Sequence, residues 1–166
     1  MFENALSGAS ATLELAGPAS GVRLSEEHLS GEISTALELP VKIHLQSPLL
    51  GPSCYVGSDR SPIIWKLSTG TTHPPAPAKP VSGTVGEAEF LDEGSLLATK
   101  GTTLVDNAWS APRASGCGGF LSFLVDPMLN RAAGLPSPAG QNLVRLKEEG
   151  FLTPAAAVAI ESGEGG

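Results

Sequence analysis

Leu39-Pro-Val-Lys-Ile-His-Leu-Gln46 alternates without a break: Leu39, Val41, Ile43 and Leu45 fall on one side, Pro40, Lys42, His44 and Gln46 on the other. Extended backbone sends successive side chains to opposite faces. A period of two therefore predicts a strand with one face on a core and the other on solvent or a neighbour's polar edge. On this reading Ile43 is a core residue and His44 a solvated surface one. Residues 11–15, Ala-Thr-Leu-Glu-Leu, repeat the alternation over a shorter span. Pro62-Ile-Ile-Trp-Lys-Leu-Ser-Thr69 predicts another strand, with proline tolerated at its first position.

Residues 84–90, 95–99 and Thr102–Trp109 are further strand candidates, the first two flanking the turn Leu91-Asp-Glu-Gly94. Residues 22–38 are ambiguous, since Ser25 can cap a helical turn that Gly31 would interrupt. Residues 141–149 suit a strand or a helix, and Ala155–Ile160 is apolar enough for a closing strand. Phe120-Leu-Ser-Phe-Leu-Val125 is an apolar run. After it, Asp126-Pro127 offers an N-cap with proline at the first helical position, and Gly134 a C-cap, which predicts one short helix over 127–133.

Twenty Gly and 14 Pro suit short strands joined by turns better than long helices. With aromatic residues at 5%, the core must rest on Leu, Val, Ile and Ala. A length of 166 residues fits a single domain, 1–166, with 161–166 as a loose tail. Four prolines between Pro74 and Pro80 predict that 71–80 is an extended, polyproline-like surface loop. The expected fold is a mainly β, single-domain antiparallel sandwich or barrel with one short helix.

Cys54 in Gly51-Pro-Ser-Cys-Tyr and Cys117 in Ala114-Ser-Gly-Cys-Gly-Gly both sit in turn-rich segments, without a His or second Cys at ligand spacing. That placement favours one long-range disulfide and an oxidising compartment. Cα atoms about 4.4–6.8 Å apart are expected. Met1-Phe-Glu-Asn-Ala-Leu has no basic region followed by an apolar stretch, so no signal peptide is visible there. The conflict with a disulfide is resolved if the true start lies upstream of Met1. No run of eighteen apolar residues occurs to span a bilayer. A net charge of −7 without a cluster of Lys or Arg argues against nucleic-acid partners and against anionic membranes.

Catalytic patterns are not evident. Gly51-Pro-Ser-Cys-Tyr fails as a nucleophile elbow at its last position. His28, His44 and His73 with Asp59, Asp92, Asp106 and Asp126 are the raw material for a triad, as in most chains of this size. Two lone cysteines give no zinc set, and Ser58, Asp59 and Asp92 lack the spacing of a calcium loop. The pairs Glu26-Glu27, Asp92-Glu93 and Glu148-Glu149 are sequence neighbours, which in a strand face opposite ways and suit solvated turns better than a glycosidase. Trp65, Trp109 and Tyr55 form a binding platform if exposed and core filling if buried; burial is expected. No cofactor is implied.

Leu39-Pro-Val-Lys-Ile-His-Leu-Gln-Ser-Pro-Leu-Leu-Gly-Pro-Ser-Cys-Tyr-Val-Gly-Ser-Asp59, Thr69-Gly-Thr-Thr-His-Pro-Pro-Ala-Pro77, Val105-Asp-Asn-Ala-Trp-Ser-Ala-Pro112 and Gly134-Leu-Pro-Ser-Pro-Ala-Gly-Gln-Asn142 follow in that order. Together they resemble a set of small secreted actinobacterial proteins without assigned activity, over roughly residues 39–145. The resemblance implies export behind a signal peptide and paired cysteines, and carries no catalytic residues. The expected function is that of an exported, non-catalytic envelope-associated or interaction protein. A carrier of a small apolar ligand is the alternative, and a hydrolase with an unrecognised site the third.

Overall fold

The computed structural model describes residues 9–25, 35–91 and 96–152. The predicted closing strand at 155–160, the tail at 161–166, His28, Asp92, Glu26, Glu27 and Glu93 lie outside these residues.

Strand β3 (Leu37–Gln46) is the axis of the first sheet, and all its partners are antiparallel. Along one edge it pairs with β1 (Ser10–Leu15) and then β2 (Arg23–Leu24). Along the other it pairs with β5 (Ile63–Leu67) and then β4 (Tyr55–Val56), which in turn carries β8 (Ala114–Ser115). Pro40 sits mid-strand, where a missing N–H ordinarily breaks a ladder. Its carbonyl accepts the Ala16 N–H, so its nitrogen faces the same edge, at the gap where the chain leaves β1 through a 3-10 turn at Ala19–Gly21 before entering β2.

The predicted alternation holds on the core side. Val41 is buried, and Leu39, Ile43 and Leu45 pack against the core. On the polar side His44 departs from expectation: its side chain is only 12% exposed, because β1 and the loop after β3 close over it.

The second sheet has β7 (Leu96–Asp106) between β6 (Glu87–Leu91) and β9 (Val144–Leu152). The expected strands at 95–99 and 102–109 form one strand that passes a bulge at Gly101 and ends at Asp106, leaving Trp109 in a loop. Residues 144–152 take the strand alternative. The sheets join where Ser68 exchanges two backbone hydrogen bonds with Val105. Their buried side chains form one cluster, with Val41, Ile63, Trp65 and Leu67 from the first sheet and Leu104 and Val144 from the second. The protein is mainly β, with antiparallel sheets that do not close into a barrel.

The proline segment is a surface loop, but it is closed rather than extended. Thr71 bridges Ser82, and Asn107 accepts the Thr72 hydroxyl at 2.6 Å while donating to the Lys79 carbonyl at 2.9 Å.

Cys54 and Cys117 are bonded and fully buried, with Cα atoms 4.2 Å apart, slightly below the expected range. The bond fastens β4 to β8, a pairing only two residues long.

Helix α1 spans Ser122–Ala132 after a 3-10 turn at Gly119–Leu121, starting five residues before the expected 127. Asp126 is not its N-cap. Pro127 lies inside the helix and withholds the N–H that the Phe123 carbonyl would receive. The C-terminal expectation holds: Leu135 N–H bonds the Asn130 carbonyl and Gly134 N–H that of Arg131, a Schellman closure on Gly134.

Candidate functional site

The sequence placed Asp126 at the mouth of a helix, and its carboxylate instead turns back beneath α1. It accepts the backbone N–H groups of Cys117 at 2.8 Å and Gly116 at 3.2 Å. One turn on, Asn130 donates to the Ala114 and Asp126 carbonyls and accepts the Ala114 N–H. Residues four apart share a helix face, so the inward face of α1 is mixed, with Asp126 and Asn130 beside the core residues Val125 and Leu129.

The outward face is correspondingly apolar. Phe123 is 70% exposed, Leu124 52% and Met128 47%, while Phe120 in the preceding turn reaches 88%. Leu121 and, from the loop after β3, Leu49 add to this surface. The loop belongs to the same corner, because the Leu50 carbonyl accepts the Gly118 N–H at 2.6 Å.

Two glycines make this corner possible. Gly116 has φ +76° and its α-carbon faces the Ser53 carbonyl oxygen so closely that a Cβ has no room. Gly118 has φ +79°, and a Cβ there would meet Val125 Cγ2 at 2.5 Å. Only glycine lets the chain double back from the disulfide onto its own helix.

A second cluster occupies the polar side of β3. The His44 ring stacks on Tyr55, centroids 4.4 Å apart and planes 14° from parallel. Its Nε2 donates to the Pro52 carbonyl at 3.0 Å, and Nδ1 lies 3.2 Å from Glu14. Lys42 is 2.7 Å from Asp59 and 3.9 Å from Glu14, and sits 5.3 Å from the Tyr55 ring centre. The hydrogen bond and charge of Lys42 hold the Asp59 carboxyl below the usual range, with smaller help from the Gly17 N–H. Asp59 in turn raises Lys42, chiefly through that hydrogen bond. The cluster clasps β1, β3 and the loop before β4. With Nε2 committed to Pro52, His44 is not presented as a base to Ser53.

A third feature is a polar groove of about 290 Å³ lined by Lys66, Ser68, Thr71, His73 and Asp106 among others. It gathers a serine, a histidine and an aspartate. Asp106 spends its two oxygens on the Lys66 and Ala108 N–H groups. The two tryptophans go to the core as expected: Trp65 is buried and meets the half-buried Trp109 edge to face at 5.8 Å. Among the described residues no three His, Cys, Asp or Glu side chains converge as metal ligands, and no helix is long and apolar enough to cross a membrane.

The expected sites named the disulfide and missed the α1 surface. Its signal was present: a polar i, i+4 pair, Asp126 and Asn130, inside an otherwise apolar segment. No protein-family model matches the chain, and neither a curated protein nor a solved structure is significantly similar to it.

Proposed function

We propose that the protein is an exported, non-catalytic contact protein held at the cell envelope, and that α1 with Leu49 is its contacting surface. The observation that carries this reading is the orientation of α1, whose inward face holds Asp126 and Asn130 beside Val125 and Leu129 while Phe123, Leu124 and Met128 are turned out. A surface helix ordinarily buries its apolar stripe. One that also turns a row of large apolar side chains outward leaves a patch of the kind that marks an interaction surface. The disulfide supports export, since cystines persist in oxidising compartments. The motif order shared with small secreted actinobacterial proteins supports it too.

A carrier needs enclosed apolar space, whereas the groove beside Asp106 is half open and carries Lys66, His73 and Asp106 in its lining. A hydrolase needs a nucleophile in reach of an oriented base, and Asp106 orients backbone amides instead.

The test is fractionation. Wild-type protein, secreted from an actinobacterial host, is expected in the envelope pellet. A Phe120→Ser/Phe123→Ser variant with unchanged circular dichroism is expected in the medium. Equal distribution of the two proteins would overturn the assignment of this surface.

A further inference from the structure

We infer that the partner of the α1 face is a lipid bilayer surface, bound peripherally, with Phe120, Phe123, Leu124 and Met128 among the acyl chains and Arg113 and Arg131 at the headgroups. This rests on the contact role proposed above and names its partner.

Charge is the first argument. Between Asn107 and Leu143 the chain carries three charged residues, Arg113, Asp126 and Arg131. Asp126 is turned inward onto Gly116 and Cys117, while both arginines are exposed. Residues 46–53, which supply Leu49, carry no charge at all. The apolar corner is therefore cationic at its rim in a chain whose net charge is −7. Screening confines electrostatics to about 8 Å at physiological salt, so a phosphate seated at this corner answers to the charges beside it, Arg113 and Arg131, rather than to the net charge of the chain. The expectation from net charge alone, that anionic membranes are disfavoured, is reversed locally.

Arrangement is the second. Leu124, Met128 and Arg131 succeed one another at i, i+4 and i+7 on the outward stripe of α1. Both arginines adjoin Asn130, Arg131 along the helix and Arg113 through Ala114, which Asn130 binds. The aromatic end, Phe120 and Phe123, lies a turn or more away from them. Apolar groups at one end and guanidinium groups at the other match the change from acyl chain to phosphate across a membrane interface.

Area is the third. The six apolar side chains expose on the order of 600 Å², at the top of what monomers leave uncovered. A stable protein interface takes roughly 800 Å² per partner. A two-fold pairing of copies through this face would also bring four arginines together, and the segment has no outward carboxylate to meet them. Lipid asks for no such complementarity.

The test uses the full disulfide-bonded chain and vesicles of phosphatidylcholine, alone or mixed with phosphatidylglycerol at about three to one. Co-sedimentation is expected with the mixed vesicles. Phe120→Ser/Phe123→Ser should lower the partition at least tenfold on both compositions. Arg113→Gln/Arg131→Gln should lower it several-fold on mixed vesicles only, as should about 0.5 M NaCl. Absence of wild-type binding to either vesicle overturns the inference, as does binding that the Phe substitutions leave intact. A concentration-dependent dimer in light scattering that these substitutions abolish, without vesicle binding, makes the partner a second copy and overturns it likewise. If patch-dependent envelope retention persists without vesicle binding, only the lipid assignment falls and the contact role stands.

Discussion

Asn130 and Ala114 exchange two hydrogen bonds, Asn130 Nδ2 donating to the Ala114 carbonyl at 2.8 Å and Asn130 Oδ1 accepting the Ala114 N–H at 2.7 Å. A side-chain amide thus stands in for the strand that β8 lacks on its outer edge. Both residues are buried, at 5% and 2% exposure, so neither backbone group has water as an alternative. Asn130→Leu should cost about 2–4 kcal/mol by leaving that pair unmet, despite the apolar surface gained. Urea denaturation would measure it; a change under about 0.5 kcal/mol would mean that α1 is held some other way.

The alternation in β3 yields a paired test at one rung of the sheet. Ile43 packs against the core, while Leu13, directly opposite on β1, is 48% exposed. Ile43→Asp should cost about 3 kcal/mol or more by burying an unpaired charge. Leu13→Asp should stay within about 1 kcal/mol. Equal costs in urea denaturation would show that the core extends past β3 and covers Leu13 on β1 as well.

Lys42 and Asp59 set a pH dependence at both extremes. Asp59 has a lowered folded-state value, so its contribution is full above the ordinary 3.8 and is lost as pH falls through the lowered value. Lys42 has a raised one, so its contribution is full below 10.5 and is lost as pH rises through the raised value. The Tm difference between wild type and Lys42→Met should therefore be flat from about pH 5 to 9 and shrink outside both limits. Because the Asp59 side chain is 61% exposed, added salt should diminish the difference throughout. A difference that varies most near neutrality would assign it to other groups.

The disulfide spans 63 positions, and closing such a loop restricts the unfolded chain by about 4 kcal/mol in the chain-entropy account. Cys54→Ala/Cys117→Ala should lose about that much stability, with the small cavity adding to it. The two-residue pairing of β4 with β8 should open first, which hydrogen exchange at Tyr55 and Ser115 would report.

Purified protein is expected to turn over no ester, glycoside or peptide substrate. The nearest approach to a triad, Ser68, His73 and Asp106, shares a groove, but Asp106 gives its two oxygens to the Lys66 and Ala108 N–H groups. Turnover abolished by His73→Ala or Asp106→Ala would convert that groove into an active site.

The sequence by itself determined the strand class, because alternation such as that of Leu39–Gln46 reports which residues leave water whatever lies opposite. It also determined the pairing of Cys54 with Cys117, since two cysteines allow one intrachain bond, and the Gly134 stop of α1, since a left-handed closure favours glycine. Only the tertiary structure decided the surroundings of His44. Its strand position predicted solvent, and the covering groups, Glu14 and Pro52, arrive from other segments. It alone decided the start and orientation of α1 as well. Asp126-Pro127 is a sound local N-cap signal, but the unpaired N–H groups of Gly116 and Cys117 took the carboxylate first. Hydrogen-bond demand at the disulfide turn and on β8 thereby outweighed the local preference and sent the apolar side chains outward. Such demand depends on backbone brought together across the fold, which no short window of sequence records.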